Sequence, residues 1–510
     1  MDLSPELAAI REAYTYDVPT LQLGVAGDGG HPWPGVGVRL PLGMLNRHGL
    51  VAGATGTGKT VTLQVLAEQL SRSGIPVFAA DVKGDLSGMA SPGEASAKLA
   101  ERTAANGQEW RPQACPVEFY ALGGEGTGVP LRTTVSSFGP LLLAKVLGLN
   151  DTQESALTLI FHYADRNGLA LLDIADLRAV LLHLDSEEGR AELRSIGGIA
   201  TSTLGVVLRE LSTFEAQGGD RFFGEPEFDT SDLLRTTADG QGVVSMVELA
   251  ELQDRPRLFS TFLMWLLADL FNDLPEVGDT ERPRLVFFFD EAHLLFDDAS
   301  PAFLEAIIRT VRLIRSKGVG VFFVTQTPGD VPEEVLAQLG SRIQHQLRAH
   351  TPKDAKALRA TVSTYPTSHY DLAETLTTLG TGEAIVTVMD PDGAPTPVVR
   401  TRVRAPESRM GPTPAEAIRA AVQASPAWAT YGTAVDRHSA REILAERLER
   451  GAATAEAERP PAPEEPRGRR SPAQDRSVVE QIVSSGAFKQ FTRTAAREIA
   501  RGLFGSARRR

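Results

Sequence analysis

The run Gly53-Ala54-Thr55-Gly56-Thr57-Gly58-Lys59-Thr60 constrains this chain more than any other segment. It follows a short apolar stretch, Gly49-Leu50-Val51-Ala52, and precedes Val61 to Ser71, where apolar residues recur at helical spacing. A glycine-rich turn between a buried strand and a helix presents successive backbone N–H groups to an anion at the positive end of the helix. Gly53 through Val61 are therefore the expected binding surface for the phosphates of a nucleoside triphosphate. Lys59 is expected to reach the β- and γ-phosphates, and the Thr60 hydroxyl to hold Mg²⁺.

Binding alone does not hydrolyse; turnover needs an acid to hold the metal and a group to activate water. Leu285-Val286-Phe287-Phe288-Phe289-Asp290-Glu291-Ala292-His293 offers both at the end of one apolar run. Asp290 is expected to contact Mg²⁺, and Glu291 to orient and polarise the attacking water. The next apolar run, Val319 to Val324, ends in Thr325-Gln326-Thr327. Ligands gather at the carboxyl edge of a parallel sheet. Gln326 is thus a candidate for sensing the γ-phosphate, or else a cap for the turn at Pro328-Gly329. Arg309, Arg312 and Arg315 lie three apart between these runs and read by spacing as a solvated helix face. Asp81, closing another apolar run, is a candidate neighbour of the site. The chain holds no Asn-Lys-x-Asp sequence of the kind that reads guanine, which favours ATP.

The remaining properties set limits. At 510 residues the chain exceeds one simple core. Its 42% hydrophobic and 23% charged content are ordinary for a globular protein. No apolar run approaches membrane-spanning length, and Met1-Asp2-Leu3-Ser4-Pro5-Glu6 lacks the basic start of a secretory signal. The single cysteine, Cys115, rules out an internal disulfide. A cytoplasmic protein without an integral membrane segment is expected. The net charge of −13 argues against a basic coat over the whole surface, but not against a local basic lining.

Along the chain, apolar runs at Ile75–Ala80, Val117–Leu122, Val243–Leu249, Leu285–Phe289 and Gly320–Thr325 alternate with helical patterns. That alternation implies an α/β fold around a mainly parallel sheet. Ala384–Met389 and Val398–Val403 flank Asp390-Pro391-Asp392-Gly393 and read as a hairpin. The expected divisions are a short β-rich segment over 1–45, a first part of the core over 46–150 and a helical insertion over 151–240. A second part of the core over 241–408, an Ala/Pro/Glu-rich linker over 409–475 and a basic amphipathic tail over 476–510 complete them. In that tail Lys489, Arg493, Arg497 and Arg501 recur every four residues beside an apolar stripe containing Phe488, Phe491 and Leu503. Such a helix suits an anionic surface, nucleic-acid phosphates or an acidic patch of its own assembly.

Taken together, these segments resemble the HerA/FtsK branch of additional-strand P-loop ATPases, with a RecA-like core, and within it the bacterial HerA-like (YjgR-like) group. The resemblance covers nearly the whole chain. Besides the phosphate loop and Asp290-Glu291-Ala292-His293, it is carried by Asp81-Val82-Lys83-Gly84-Asp85-Leu86-Ser87-Gly88 and Leu131-Arg132-Thr133-Thr134-Val135-Ser136. Leu147-Gly148-Leu149-Asn150-Asp151-Thr152-Gln153-Glu154 and Phe222-Phe223-Gly224-Glu225-Pro226 extend it. The resemblance implies a homohexameric ring in which each site is completed by arginines of the neighbouring subunit. Arg47 and Arg315 match those positions, and Gln326 matches the polar residue after the following strand. Archaeal members carry a β-barrel before the core that binds a nuclease; about 45 residues precede the core here, so that partnership is not carried over. The implied activity is an ATP-hydrolysing ring motor with double-stranded DNA as substrate. An ATPase acting on protein partners is the second reading, and a kinase using the same loop the third.

Overall fold

The apolar runs expected as strands become strands, and all of them join one sheet. A computed structural model describes residues 3–28, 31–124, 126–249, 256–278, 280–296 and 301–457. Its strands are β1 (Thr20–Asp28), β2 (His31–Pro41), β3 (Gly49–Ala52), β4 (Val77–Asp81), β5 (Val117–Leu122) and β6 (Val129–Leu131). They continue with β7 (Val244–Glu248), β8 (Leu285–Phe289), β9 (Val319–Thr325), β10 (Ser341–Gln344), β11 (Glu383–Thr387) and β12 (Val399–Val403). The twelve strands lie in the order β2-β1-β12-β11-β10-β3-β9-β8-β4-β7-β5-β6. From β10 to β6 every neighbouring pair is parallel.

The central strands are apolar throughout because both faces are covered. β3, β4, β8 and β9 are buried at every residue, as crossover helices on both faces of a parallel sheet require. Phe78 of β4 packs on Phe287 with ring centroids 4.8 Å apart and on Phe262 at 6.3 Å. Phe262 belongs to the helix Pro256–Asp273, which covers that face. Aromatic pairs at such separations add to simple area burial.

At the other end the sheet turns antiparallel. β12 pairs with both β11 and β1, and β1 pairs with β2. Val36, Val38 and Leu40 of β2 are buried at alternate positions, the period of a strand with two unlike faces, whereas β1, flanked by β2 and β12, is buried continuously from Leu23 to Gly27. The segment over 1–45 is thus continuous with the main sheet, and it also contains a helix, Pro5–Ala13, capped by Ser4.

Between β6 and β7 five helices follow one another: Val135–Val146, Asp151–Arg166, Ile174–Asp185, Glu187–Ser195 and Thr201–Ala216. Local chemistry sets their ends. Gly148 takes φ 67° after the first, and Asn150 with Gln153 forms a reciprocal cap at the start of the second, as do Asp173 and Asp176 at the third.

The stretch from 409, expected as a linker partly helical before Gly451, is more ordered than a linker, and its helices dock on the core. It holds the helices Ala415–Ala424, Pro426–Tyr431 and Ala440–Ala457. Their Ile418, Val422, Ala427, Tyr431, Ala440 and Leu444 lie in the main core, so Ala-rich composition concealed an amphipathic pattern with enough apolar area to dock. Pro460-Pro461-Ala462-Pro463 and the basic stripe over 476–510 lie outside the described residues. Among the described residues no helix is long and apolar enough to cross a membrane.

Candidate active site

Register across the sheet assembles the site. β9 lies between β3 and β8, pairing Ala52 with Thr325 and Phe289 with Phe323. The phosphate loop leaving β3, Gln326 leaving β9 and Asp290-Glu291 leaving β8 therefore stand side by side at one carboxyl edge. With strands spaced ~4.8 Å apart, loop and acidic pair are separated by roughly 10 Å. β4 stands beyond β8 with Ala80 opposite Phe289, so Asp81 is level with Asp290.

The loop takes its conformation from its glycines. Gly56 and Gly58 adopt φ 80° and 116°, a region that side chains disfavour. Gly58 caps the helix Lys59–Arg72. A Cβ on Gly53 would stand 2.5 Å from His345 Cβ, whereas one on Gly56 would meet nothing within 4 Å. Lys59 is buried and its Nζ donates to the carbonyls of Gly53 and Ala54 at 2.7 and 3.3 Å. Burial pulls its pKa below the usual lysine value, and the charges that act on it are Glu291, Lys83, Asp290 and Asp330. These groups come from β8, β4 and β9, so the ammonium is the electrostatic centre of the edge.

The two acids are pushed apart. Asp290 is buried, and burial together with the Glu291 charge raises its pKa to about 6. Burial would raise Glu291 too, but the Lys83 ammonium outweighs it and leaves its carboxyl below the usual value. Lys83 Nζ contacts Glu291 Oε1. Oε2 is buried without a hydrogen-bond partner among the described residues, with His293 Nδ1 at 3.2 Å outside hydrogen-bonding geometry. Glu291 also takes φ 47°, a strained conformation for a non-glycine residue that costs on the order of 1–2 kcal/mol.

A stability prediction follows from Asp290. A folded pKa raised to about 6 favours the protonated carboxyl, so its contribution to stability is full below the unfolded value and is lost as pH rises through about 6. Without nucleotide or divalent cation, Asp290→Asn is expected to stabilise the chain at pH 8 by on the order of 2–3 kcal/mol. The gain should shrink steadily as pH is lowered toward 4. Urea melts at several pH values measure this; a gain independent of pH would contradict it.

Gln326 is exposed. The capping role at the following turn belongs instead to Thr327 and Asp330. Asp330 also accepts from Thr325 Oγ1 at 2.7 Å, which fastens the turn to the strand end and leaves Gln326 beside the phosphate loop.

Arg47 and Arg315 stand elsewhere. Arg47 precedes β3 and Arg315 precedes β9, which puts both at the amino edge, a strand length of about 13 Å from the phosphate loop. His48, next to Arg47, is fixed at this edge: its Nε2 meets Val311 O at 2.8 Å and its Nδ1 accepts from Val321 N, with Arg315 near enough to act on it electrostatically. Arg47 Nε is buried without a hydrogen-bond partner among the described residues. Arg309 and Arg312 are exposed on the helix Pro301–Ile314, as a solvated face would be.

Two further groups brace the site: His345, which no sequence signal singled out, and Asp81, the expected neighbour. His345, fully buried after β10, meets Thr62 Oγ1 with Nε2 at 2.9 Å and Glu383 O with Nδ1 at 2.8 Å. Burial lowers its pKa to about 4, so a neutral ring joins the phosphate-loop helix to β11. Asp81 accepts from Gly84 N and Leu86 N at 2.7 and 3.0 Å and folds the loop that carries Lys83. Burial raises its pKa to about 7.

The residues present fit a triphosphate and a divalent ion. The glycine cradle is open where a Cβ would stand at Gly56, and the donor set combines a hydroxyl, a buried carboxyl and an ammonium. Thr60 and Asp290 would hold Mg²⁺, an oxygen-seeking ion.

Comparison with known proteins gives the family and the fold. The helicase HerA-like C-terminal family matches residues 30–510. The chain is 23% identical over 361 residues to the DNA double-strand break repair helicase HerA of Sulfolobus acidocaldarius, covering 69% of this chain and 64% of that protein. It is 24% identical over the same length to the enzyme of that name from Sulfurisphaera tokodaii, with the same coverage. The match thus spans less than two thirds of these curated relatives. The plasmid coupling protein TrwB in complex with ADP and Mg²⁺ shares the fold with a TM-score of 0.53 at 14% identity, over 80% of this chain and 94% of that one. With its phosphate loop, additional strand and acidic pair at one sheet edge, this chain belongs to the helicase HerA-like C-terminal family of P-loop ATPases.

Proposed function

We propose that this chain hydrolyses ATP at sites shared between subunits of a homohexameric ring and uses that hydrolysis to move on or remodel double-stranded DNA. One observation carries the shared site. Phosphate loop and acidic pair occupy the carboxyl edge, while Arg47 and Arg315 occupy the amino edge, beyond reach of their own loop. Arginines so displaced are suited to a neighbour's phosphates, where a guanidinium offsets charge developing in the transition state. The DNA half is supported by the relatives, which are named as DNA double-strand break repair helicases.

In the proposed reaction the loop N–H groups and Lys59 hold the phosphates, and Gln326 positions water beside the γ-phosphate. Glu291 takes the proton of that water as its oxygen bonds to the γ-phosphorus. The bond to the β–γ bridging oxygen breaks, and ADP and phosphate leave. Mg²⁺, when bound by Thr60 and Asp290, supplies neutralisation of phosphate charge.

ATPase rate with and without linear double-stranded DNA, together with particle mass, tests the reading. A mass of six chains and a DNA-stimulated rate are expected. A rate indifferent to DNA would replace the DNA motor by an ATPase acting on protein partners. The shared site has its own test. Arg47→Ala and Glu291→Gln are each expected to be inactive, and mixing them should restore activity because some interfaces then hold both intact residues. No recovery at any ratio would remove Arg47 from the site.

A further inference from the structure

The loop Asp81-Val82-Lys83-Gly84-Asp85 lies outside the glycine-rich phosphate loop, yet it delivers a cation to the acid that the hydrolytic reading makes the base. Asp81 anchors it with both carboxylate oxygens, one on Gly84 N and one on Leu86 N. Gly84 takes φ 80°, and the resulting turn aims Lys83 across β4 toward β8. There Nζ meets Glu291 Oε1, the Lys83 side chain being 41% exposed and that of Glu291 5%. The ammonium approaches from the solvent side and covers a carboxylate that has almost no access to water.

Burial of one partner separates this contact from an ordinary surface ion pair. Exposed pairs contribute little because water serves both charges equally well. Glu291 has no such alternative, and a buried carboxylate needs a compensating partner. Its backbone is also strained at φ 47°, so the side chain leaves β8 along one restricted path. Lys83 engages Oε1, while Oε2 is buried, has His293 Nδ1 3.2 Å away and accepts no hydrogen bond among the described residues. The carboxylate thereby has one oxygen tethered and one whose accepting capacity is unused in this structure.

We propose that Lys83 is a positioning residue for hydrolysis: its ammonium, aimed by the Asp81-braced loop, tethers Glu291 Oε1 so that Oε2 faces the attacking water. Lys83 acts through Glu291 and not on the nucleotide. The proposal rests on the reading of Glu291 as the group that activates water.

Kinetics of the full-length chain test it. Lys83→Met keeps the length of the side chain and removes the charge. It is expected to lower kcat for ATP roughly 10- to 100-fold, the scale of a misplaced reacting group, with KM for ATP within about twofold of wild type. Lys83→Arg is expected to recover most of that loss. In the Glu291→Gln background Lys83→Met should cost little more, because the group it positions is already disabled. Wild-type kcat in Lys83→Met would overturn the proposal. So would a rise in KM at constant kcat, which would make Lys83 a nucleotide contact. An undiminished further loss in the Glu291→Gln background would overturn it too. Normal turnover by Glu291→Gln alone would instead remove the hydrolytic reading beneath it, so the two failures are distinguishable.

Discussion

Replacing Glu291 by Gln is expected to lower kcat for ATP hydrolysis roughly 10²–10⁴-fold, the range attributed to a positioned general base, while nucleotide binding stays close to wild type. The amide keeps the volume of the side chain and an oxygen that can accept from Lys83, so the strained turn after β8 retains its main contact. It cannot take a proton from water. The phosphate loop is untouched, since its hydrogen bonds run to its own carbonyls, to Thr325 O and to Gln346 O. A nucleotide titration beside steady-state turnover separates the two effects. Wild-type turnover would sink Glu291 as the activating group.

Lys59→Ala is expected to act differently, lowering kcat/KM for ATP roughly 10²–10³-fold, the scale of losing one charged clamp on a transferring phosphoryl group. Here binding should fall together with turnover. The ammonium is buried against the loop carbonyls and surrounded by Glu291, Asp290 and Asp330. Removing it leaves those acids facing the phosphates with Lys83 as their nearby cation. Circular dichroism should show the fold retained, because the glycine turns and the helix Lys59–Arg72 do not depend on that side chain. Tight ATP binding with only turnover lost would mean that the ammonium serves the transition state alone.

Much of this arrangement was legible beforehand. The strand–loop–helix at Gly49 to Ser71 announced itself through the tight spacing of Gly53, Gly56 and Gly58. The buried strands β4, β5, β8 and β9 were visible as short apolar runs, since a strand covered on both faces has no polar positions to break its pattern. β6 and β10 gave no signal because three or four residues are too few to show a period and, unlike the equally short β3, neither leads into the phosphate loop. Helical character before Gly451 was expected, but an alanine-rich composition that reads as a linker hid the docking of the helices from Ala415 to Ala457 on the core.

Within the site the division is sharper. Candidate phosphate-binding and metal-binding residues could be nominated because their chemistry resides in contiguous motifs. Lys83 and His345 were not assigned roles because each works on groups distant in the chain, Glu291 for the first and Thr62 and Glu383 for the second; Asp330 acts on nearby Thr325 but belongs to no motif. The sequence by itself determined that a triphosphate-binding loop and an acidic strand end occur in one α/β chain, since backbone conformation and burial at those runs follow from local residue type. Only the tertiary structure decided that β9 lies between them, that Arg47 and Arg315 stand at the opposite edge, and that Lys83 meets Glu291. Those relations depend on strand order and register, which long-range packing selects and local chemistry does not.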